Sequence, residues 1–494
     1  MFYGWWRLDN VPLIVGSILF NYALGGMLMR KPHRGLLAAG IAANVAALAY
    51  FKYTNFLVEI AGEVAGTSWA VSSIVLPLAI SFFTFQQIAY LIDSSQGAAT
   101  EHDFIHYCLF ITFFPHLIAG PITHHREILP QFQDPDRFHP RWDMVATGGT
   151  LLVIGLFKKV IVADPFGTYA TPVFEAARHA PVQMVEAWGG ALAYALQLYF
   201  DFSAYSDMAI GLGLLFGVSL PLNFNSPYKA RNMIDYWGRW HITLTRFLTA
   251  YIYNPIVTAL TRRRMAQGLP VMSRGLMGPR AFATLVAVPT VFTMFVSGVW
   301  HGAGWQFIIF GLLHGFFLVV VHAWRQYKKA HGVPVDSSSK WQVALSVLLT
   351  FLCATVALIF FRSPNVGTAL GVLAGMSGLN GVTLPAPLAA VPFAQQAGNA
   401  LGFHFGSLEL FDLNLAARLF IFLAVVWTLP NAYQWLCDHP TALTPNETVG
   451  APTALVATRW RPTLVTGLAV GALSAVTLLT AFSSAPTEFL YFQF

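Results

Sequence analysis

Apolar runs long enough to cross a bilayer recur along nearly the whole chain, and they limit its fold more than any other feature. A helix of about twenty consecutive apolar residues spans the hydrocarbon layer. Roughly ten to twelve such runs occur, centred near residues 20, 43, 81, 112, 153, 192, 210, 290, 312, 350, 422 and 472. Several are short or broken by Gly and Pro, which predicts tilted or re-entrant helices. Only 10% of the 494 residues are charged, against about 25% in soluble domains, too few to cover a water-facing surface. The expected fold class is an all-α polytopic membrane protein, with residues 1–494 as one membrane-embedded domain.

The net charge of +6 gathers in a few connectors: Arg30 to Arg34, Arg262 to Arg264 with Arg274 and Arg280, and Arg325, Lys328, Lys329 and Lys340. Juxtamembrane Lys and Arg mark cytoplasmic loops, so these places need no nucleic-acid partner to explain them. Cys108, Cys353 and Cys437 stand far apart, without metal spacing or a disulfide framework. The N-terminus, Met1 to Arg7, is aromatic rather than basic, and no small-residue cleavage site follows the first apolar run. That run is expected to act as its own anchor.

One stretch concentrates chemistry. Phe292 to Gly315 reads as a helix, a break and a second helix, with Ser297-Gly298-Val299-Trp300-His301-Gly302-Ala303-Gly304-Trp305 between them. Irregular backbone at membrane depth normally lines a cavity, and an ionisable side chain there is a functional hypothesis by default. Histidine is the side chain suited to moving a proton near neutral pH. His301 is therefore a candidate general base; a core histidine hydrogen-bonded to a neighbouring helix fits these residues equally well. Trp300 and Trp305 either wall a channel beside it or pack at the interface.

Three further segments carry polar groups among apolar ones. The run 191–217 holds Gln197, Asp201, Ser203, Ser206 and Asp207 in its middle. Buried carboxylates are costly unless paired, so they flank a polar cavity or cap a helix break, the capping role being slightly favoured over direct catalysis. Residues 222–258 alternate Asn223, Asn225, Lys229, Arg231, Asp235, Arg239, His241 and Arg246 with aromatics. Arg239, Thr243 and Arg246 fall near one helical face and Trp240, Leu244 and Phe247 near another, predicting an amphipathic helix at the membrane surface. The segment 122–142, with His124, His125 and His139 and the nearby His116, lacks metal-ligand spacing and is expected to be a solvated or interfacial face. Residues 364–410 are expected to form a short helix and loops.

Taken together, FFPHLIAGPI (113–122), QLYFDFSAYSDMAIGLGLLFG (197–217), NFNSPY (223–228), WGRWHITLTRFL (237–248), VWHGAGW (299–305) and the terminal YFQF resemble the membrane-bound O-acyltransferase family, in its bacterial alginate O-acetyltransferase branch. The similarity extends over nearly all of the chain. It implies a ring of tilted helices around a through-membrane tunnel. His301 matches the family's catalytic histidine and His241 its second histidine. The resemblance also implies an acyl thioester co-substrate, acetyl-coenzyme A or an acyl carrier protein, with no bound cofactor or metal. It implies a hydroxyl acceptor on an exported polysaccharide, a periplasmic relay or esterase-like partner protein, a lipid surround and a place in the bacterial inner membrane. On this expectation Trp300, Trp305, Asp201, Ser203, Asp207, Arg239 and Asn223 contact substrate, and His241 orients the donor or polarises its carbonyl. The chain departs from the pattern at Gly238, at Asn254-Pro255-Ile256 and at its start, which resembles the second helix of longer relatives. D-alanyl transfer from a carrier protein, or a transporter built on broken helices, is the alternative.

Overall fold

The computed structural model describes residues 2–67, 74–99, 103–272, 275–334, 339–439, 441–443, 459–485, 487, 489 and 490. It is almost entirely helical. The helices used below are α1 (Leu8–Arg30), α2 (Arg34–Ala65), α3 (Ile80–Ser95), α4 (His125–Phe132), α5 (Trp142–Ala176), α6 (Met184–Leu215), α7 (Met233–Trp237), α8 (Ile242–Leu248), α9 (Asn254–Ala266), α10 (Pro279–His301), α11 (Trp305–Ala330), α12 (Lys340–Arg362), α13 (Leu413–Thr428) and α14 (Leu464–Ser483). Seven of these, α1, α2, α5, α10, α11, α12 and α14, are long and apolar enough to cross a membrane. The expected runs near 192 and 210 are one helix, α6, and the run near 422 is the shorter α13. Between α12 and α13 a surface unit pairs the three-residue strands β1 (Thr383–Pro385) and β2 (His404–Gly406) in parallel, where only a helix and loops were expected.

Glycine sets which helices meet closely. In α5 and α6 a methyl at Gly148 would sit 2.6 Å from the Gly211 carbonyl, and one at Gly211 would meet the Gly148 carbonyl at the same distance. In α10 and α11 a methyl at Gly298 would strike the Phe307 carbonyl at 2.3 Å. Small residues let membrane helices approach where no hydrophobic force pulls them together. The α10–α11 hairpin is the expected helix, break and second helix: α10 ends at His301 and α11 opens at Trp305.

Three apolar cores result. One joins α5, α6, α7 and α10 to α13; a second joins α1, α2 and α3 to the segment 107–132; a smaller third contains Phe82, Phe85, Leu244, Phe247 and Trp300. In the third, Phe85 stacks on Phe247 at 4.3 Å and on Trp300 at 5.1 Å. Each such pair adds about 0.5–1.5 kcal/mol beyond area burial. The seam where this small core meets the first holds the histidines.

Candidate active site

His301 is the last residue of α10 and is 7% exposed. Its ring lies edge-on to Trp300 at 4.8 Å, Phe361 at 5.1 Å and Phe310 at 5.6 Å. Among the described residues no group hydrogen-bonds to either ring nitrogen, so this is not the tied core histidine that the sequence alone allowed. The other buried histidines each have a polar neighbour. His116 Nε2 meets the Phe110 carbonyl at 3.1 Å, His124 Nδ1 meets Tyr251 Oη at 3.1 Å, and His125 Nδ1 lies 3.5 Å from Asp93 Oδ2. His314 Nδ1 accepts from Trp237 Nε1 at 3.3 Å, and Phe310 stands between His314 and His301. A base must have a lone pair free for the incoming proton; His301 meets that condition at the seam, whereas His116, whose Nδ1 is also left over, packs on Phe110 and Phe113 in the second core.

His241 reaches the same place by a different route. The expected surface helix is broken: α7 stops at Trp237, and α8 begins after His241, which takes a left-handed conformation (φ 45°, ψ 52°). A non-glycine residue there is uncommon and costs energy that the surroundings must hold. They do so through Asn223, whose Oδ1 accepts from His241 Nδ1 at 3.0 Å and from Thr243 Oγ1 at 2.9 Å. Asn223 Nδ2 donates to Ser206 Oγ at 3.1 Å, and the Thr243 backbone N–H, which can only donate, reaches Oδ1 at 3.3 Å, which settles which end of the amide faces the histidine. His241 Nδ1 therefore carries the proton, and in the neutral ring Nε2 is an acceptor. Polarising a carbonyl, one of the expected roles, needs a donor that this tautomer does not present from Nε2. The His241 ring packs on Phe202 at 4.8 Å and lies 6.2 Å from Trp300, so one indole separates the two histidines.

Helical spacing sorts the polar residues of α6 between two places. Phe202 and Ser206, four apart, face His241 and Asn223. Ser203 and Asp207, also four apart, face Lys158: Lys158 Nζ lies 2.6 Å from Asp207 Oδ2 and 3.4 Å from Ser203 Oγ. Tyr433 donates to the other Asp207 oxygen at 2.8 Å. Asp201 pairs with Lys159 at 2.8 Å and accepts the Leu490 amide at 3.0 Å, while Lys159 also pairs with Asp164 at 2.8 Å. α6 runs unbroken from Met184 to Leu215, so neither acid caps a helix break. Lys158 and Lys159 open a π-helical turn in α5, a feature often found where a helix serves a special purpose. A cavity of about 330 Å³ lies beside Lys158, lined by Phe157, Tyr199, Ser226, Phe422 and Asn431 among others, and its lining includes neither His241 nor His301.

Other expected contacts sit elsewhere. Trp305 is 56% exposed and lies edge-on to Phe56. Arg239 is tied to Asp235 at 2.6 Å and donates to the Asn225 carbonyl at 3.2 Å, bracing the loop that carries Asn223. The histidine-rich segment is not a solvated face: His116, His124 and His125 are buried, and of the four only His139 is exposed. Burial holds His124 and His125 below the usual histidine range, against the opposing pull of Glu127 and Asp93. The terminal YFQF motif lies outside the described residues. Just before it, Phe489 packs on Tyr205 and Leu490 is buried beside Asp201.

Two residues that the motif pattern did not single out close the site. Lys52 Nζ, from α2, donates to the carbonyls of Trp300 and, at 3.2 Å, His301. Tyr53 Oη donates to the Val299 carbonyl at 2.5 Å. A lysine inside the second apolar run was the available signal, by the same rule that flags His301.

Residues 41–269 match the model of the membrane-bound O-acyltransferase family. The chain is 40% identical, over 78% of its length and 73% of the relative's, to a peptidoglycan O-acetyltransferase of Helicobacter pylori. It is 32% identical, over its whole length and 93% of the relative's, to a probable alginate O-acetylase of Pseudomonas aeruginosa. A teichoic acid D-alanyltransferase of Streptococcus thermophilus is 26% identical over 62% of this chain.

Proposed function

The chain belongs to the membrane-bound O-acyltransferase family, and on that premise we propose that it moves an acetyl group from a cytoplasmic thioester to a hydroxyl beyond the membrane. It is a multi-pass membrane acyltransferase; the donor, the group moved, the acceptor and the inner-membrane location are the proposal. The observation that carries it is the His301 imidazole, buried among aromatic rings with neither nitrogen hydrogen-bonded to a described residue.

The chemistry follows from those groups. The acceptor oxygen attacks the thioester carbonyl carbon while a His301 nitrogen takes the hydroxyl proton. The new C–O bond forms, the C–S bond breaks, and the imidazolium returns its proton to the departing thiolate. General-base help of this kind gives about 10²–10⁴-fold. His241, with Nδ1 held by Asn223, offers Nε2 to accept a hydrogen bond from a neighbouring hydroxyl of the acceptor and so to aim the one that reacts. Trp300, between the rings, keeps water from the reacting atoms.

The direction of transfer is supported by where charge lies on the helices. Arg30 ends α1, Arg34 begins α2, Arg263 and Arg264 lie in the last turn of α9, and Lys328 and Lys329 in that of α11. Between Asp235 and Asp336 the chain has no acidic residue. By the positive-inside rule these ends face the cytoplasm. From Arg280 near the start of α10 to His301 at its end the helical rise is about 32 Å, close to the hydrocarbon thickness of about 30 Å. A base so placed receives its hydroxyl from the outer side, while the acyl group comes through the body of the protein, along the tunnel that the family resemblance implies.

Acetyl rather than D-alanyl transfer is favoured because the wide, higher-identity matches are to acetyl-transferring proteins. A glycan of the cell envelope, peptidoglycan or an alginate-like polymer, is the acceptor, directly or through a periplasmic relay protein. The test is purified protein in lipid nanodiscs with acetyl-coenzyme A or acetylated acyl carrier protein and a soluble muropeptide or oligomannuronate. Acetyl ester on the glycan, formed without any membrane gradient, is expected. Transport of substrate without thioester consumption would overturn the reading.

A further inference from the structure

We propose that Lys52 and Tyr53 of α2 are positioning residues of the reaction, setting His301 by holding the last turn of the helix that carries it. The inference rests on His301 being the base.

A helix leaves its last four carbonyls without partners inside the helix, and its C-terminal end carries about half a negative charge. Trp300, His301 and Gly302 are buried at the end of α10, so those carbonyls have little access to water. The residue after His301 is Gly302, which leaves the helix in extended backbone (φ −166°, ψ 162°). A methyl at Gly302 would fall 2.1 Å from the Phe307 ring, so the chain turns sharply toward α11 with no room for a capping side chain of its own. The cap comes from another helix. Lys52 takes the carbonyls of Trp300 and His301, and Tyr53 takes that of Val299. Three successive carbonyls, ending at the candidate base, are thus held by two adjacent side chains some 246 to 249 positions away in sequence.

The arrangement is specific in two further respects. Among the described residues no carboxylate pairs with Lys52, so its charge is answered by the helix end and by the Trp300 ring, 5.9 Å from Nζ. α2 is otherwise thinly seated: of its helix only Gly40, Asn44, Leu48 and Gly62 are buried. The neighbouring Asn55 makes two hydrogen bonds with the backbone of Ile74, at 3.0 and 3.1 Å, and Phe56 meets Trp305. The residues 52–56 therefore form one contact block on a peripheral helix, placed where the α10–α11 hairpin turns. Packing alone would be served by an apolar residue; a half-buried cation aimed at backbone oxygen serves to fix a position.

Displacing a reacting group by about 1 Å costs roughly 10²-fold. The experiment measures kcat and KM separately in nanodiscs, with acetyl-coenzyme A as donor and a soluble muropeptide as acceptor, on monodisperse protein of checked melting temperature. For Lys52→Met we expect kcat to fall about 30- to 100-fold with both KM values within about threefold. Lys52→Arg, which keeps charge and donors, restores most of the loss. Tyr53→Phe, which removes one hydroxyl and stands in if Lys52→Met does not fold, lowers kcat about tenfold. In a His301→Ala background Lys52→Met adds nothing, because the two residues act as a unit. Wild-type kcat in folded Lys52→Met or Tyr53→Phe overturns the proposal, as does a loss carried by KM. If His301→Ala itself stays active, the base reading fails instead, and the two failures are told apart within one data set.

Discussion

The lysine–aspartate pairs between α5 and α6 and the imidazole at the end of α10 both put ionisable side chains at membrane depth, but the protein treats them in opposite ways. Asp207 has Lys158 on one oxygen and Tyr433 on the other, and Asp201 has Lys159 and a backbone amide. Each of the four carboxylate oxygens has a partner. Around His301 the backbone is held, by Lys52 and Tyr53, while the ring has no hydrogen bond to any described residue. Cost at membrane depth therefore does not by itself identify a catalytic group. What separates the two regions is whether the polar atoms are satisfied by the fold or kept for something that arrives.

The comparison breaks most directly at His301. His301→Ala is expected to lower acyl transfer by about 10²–10⁴-fold in protein that still folds, with only a modest drop in melting temperature for the cavity left among Trp300, Phe310 and Phe361. A large loss of stability with it would make His301 a structural residue like the aspartates. Asp207→Ala should do the reverse. It strands Lys158 in the interior, which costs about 3–5 kcal/mol, and folded yield and melting temperature should drop sharply. The double change Lys158→Met, Asp207→Leu should recover much of that stability; if it does not, the pair has a role beyond mutual neutralisation.

Asn223→Ala tests the region between these extremes, since Asn223 links Ser206 on α6 to His241. Losing its Oδ1 leaves His241 and Thr243 short of an acceptor, at about 1–3 kcal/mol. Turnover is expected to fall about 5- to 100-fold, through kcat, with a smaller drop in melting temperature. An unchanged rate would reduce His241 to scaffold. The smallest effect belongs to Trp305→Ala: exposed, and touching Phe56 rather than the histidines, it should change turnover less than about threefold and stability by about 0.5–1 kcal/mol. A loss comparable to that of His301→Ala would return Trp305 to the channel wall.

The helix–break–helix around His301 was legible because three glycines and a histidine interrupt a strongly apolar run, and no membrane helix tolerates that without a reason. The break in the surface helix expected within 222–258 was not, because its face pattern is compatible with one continuous helix. The left-handed turn at His241 is imposed by Asn223, a contact across eighteen positions. The buried state of His124 and His125 was hidden for a related reason. Their neighbours in sequence are charged, whereas their neighbours in space, Tyr251 and Asp93, come from other segments.

From its order of residues alone the chain is committed to a membrane, to helices, to glycine-mediated crossings and to a histidine at a break, because each depends on local composition and spacing. Which polar residues are consumed by the fold and which stay available was decided only in three dimensions. Ser206 and Asp207 are adjacent in sequence, yet a helix turns by about 100° per residue. One therefore joins the histidine network and the other an ion pair, according to what the neighbouring helices present.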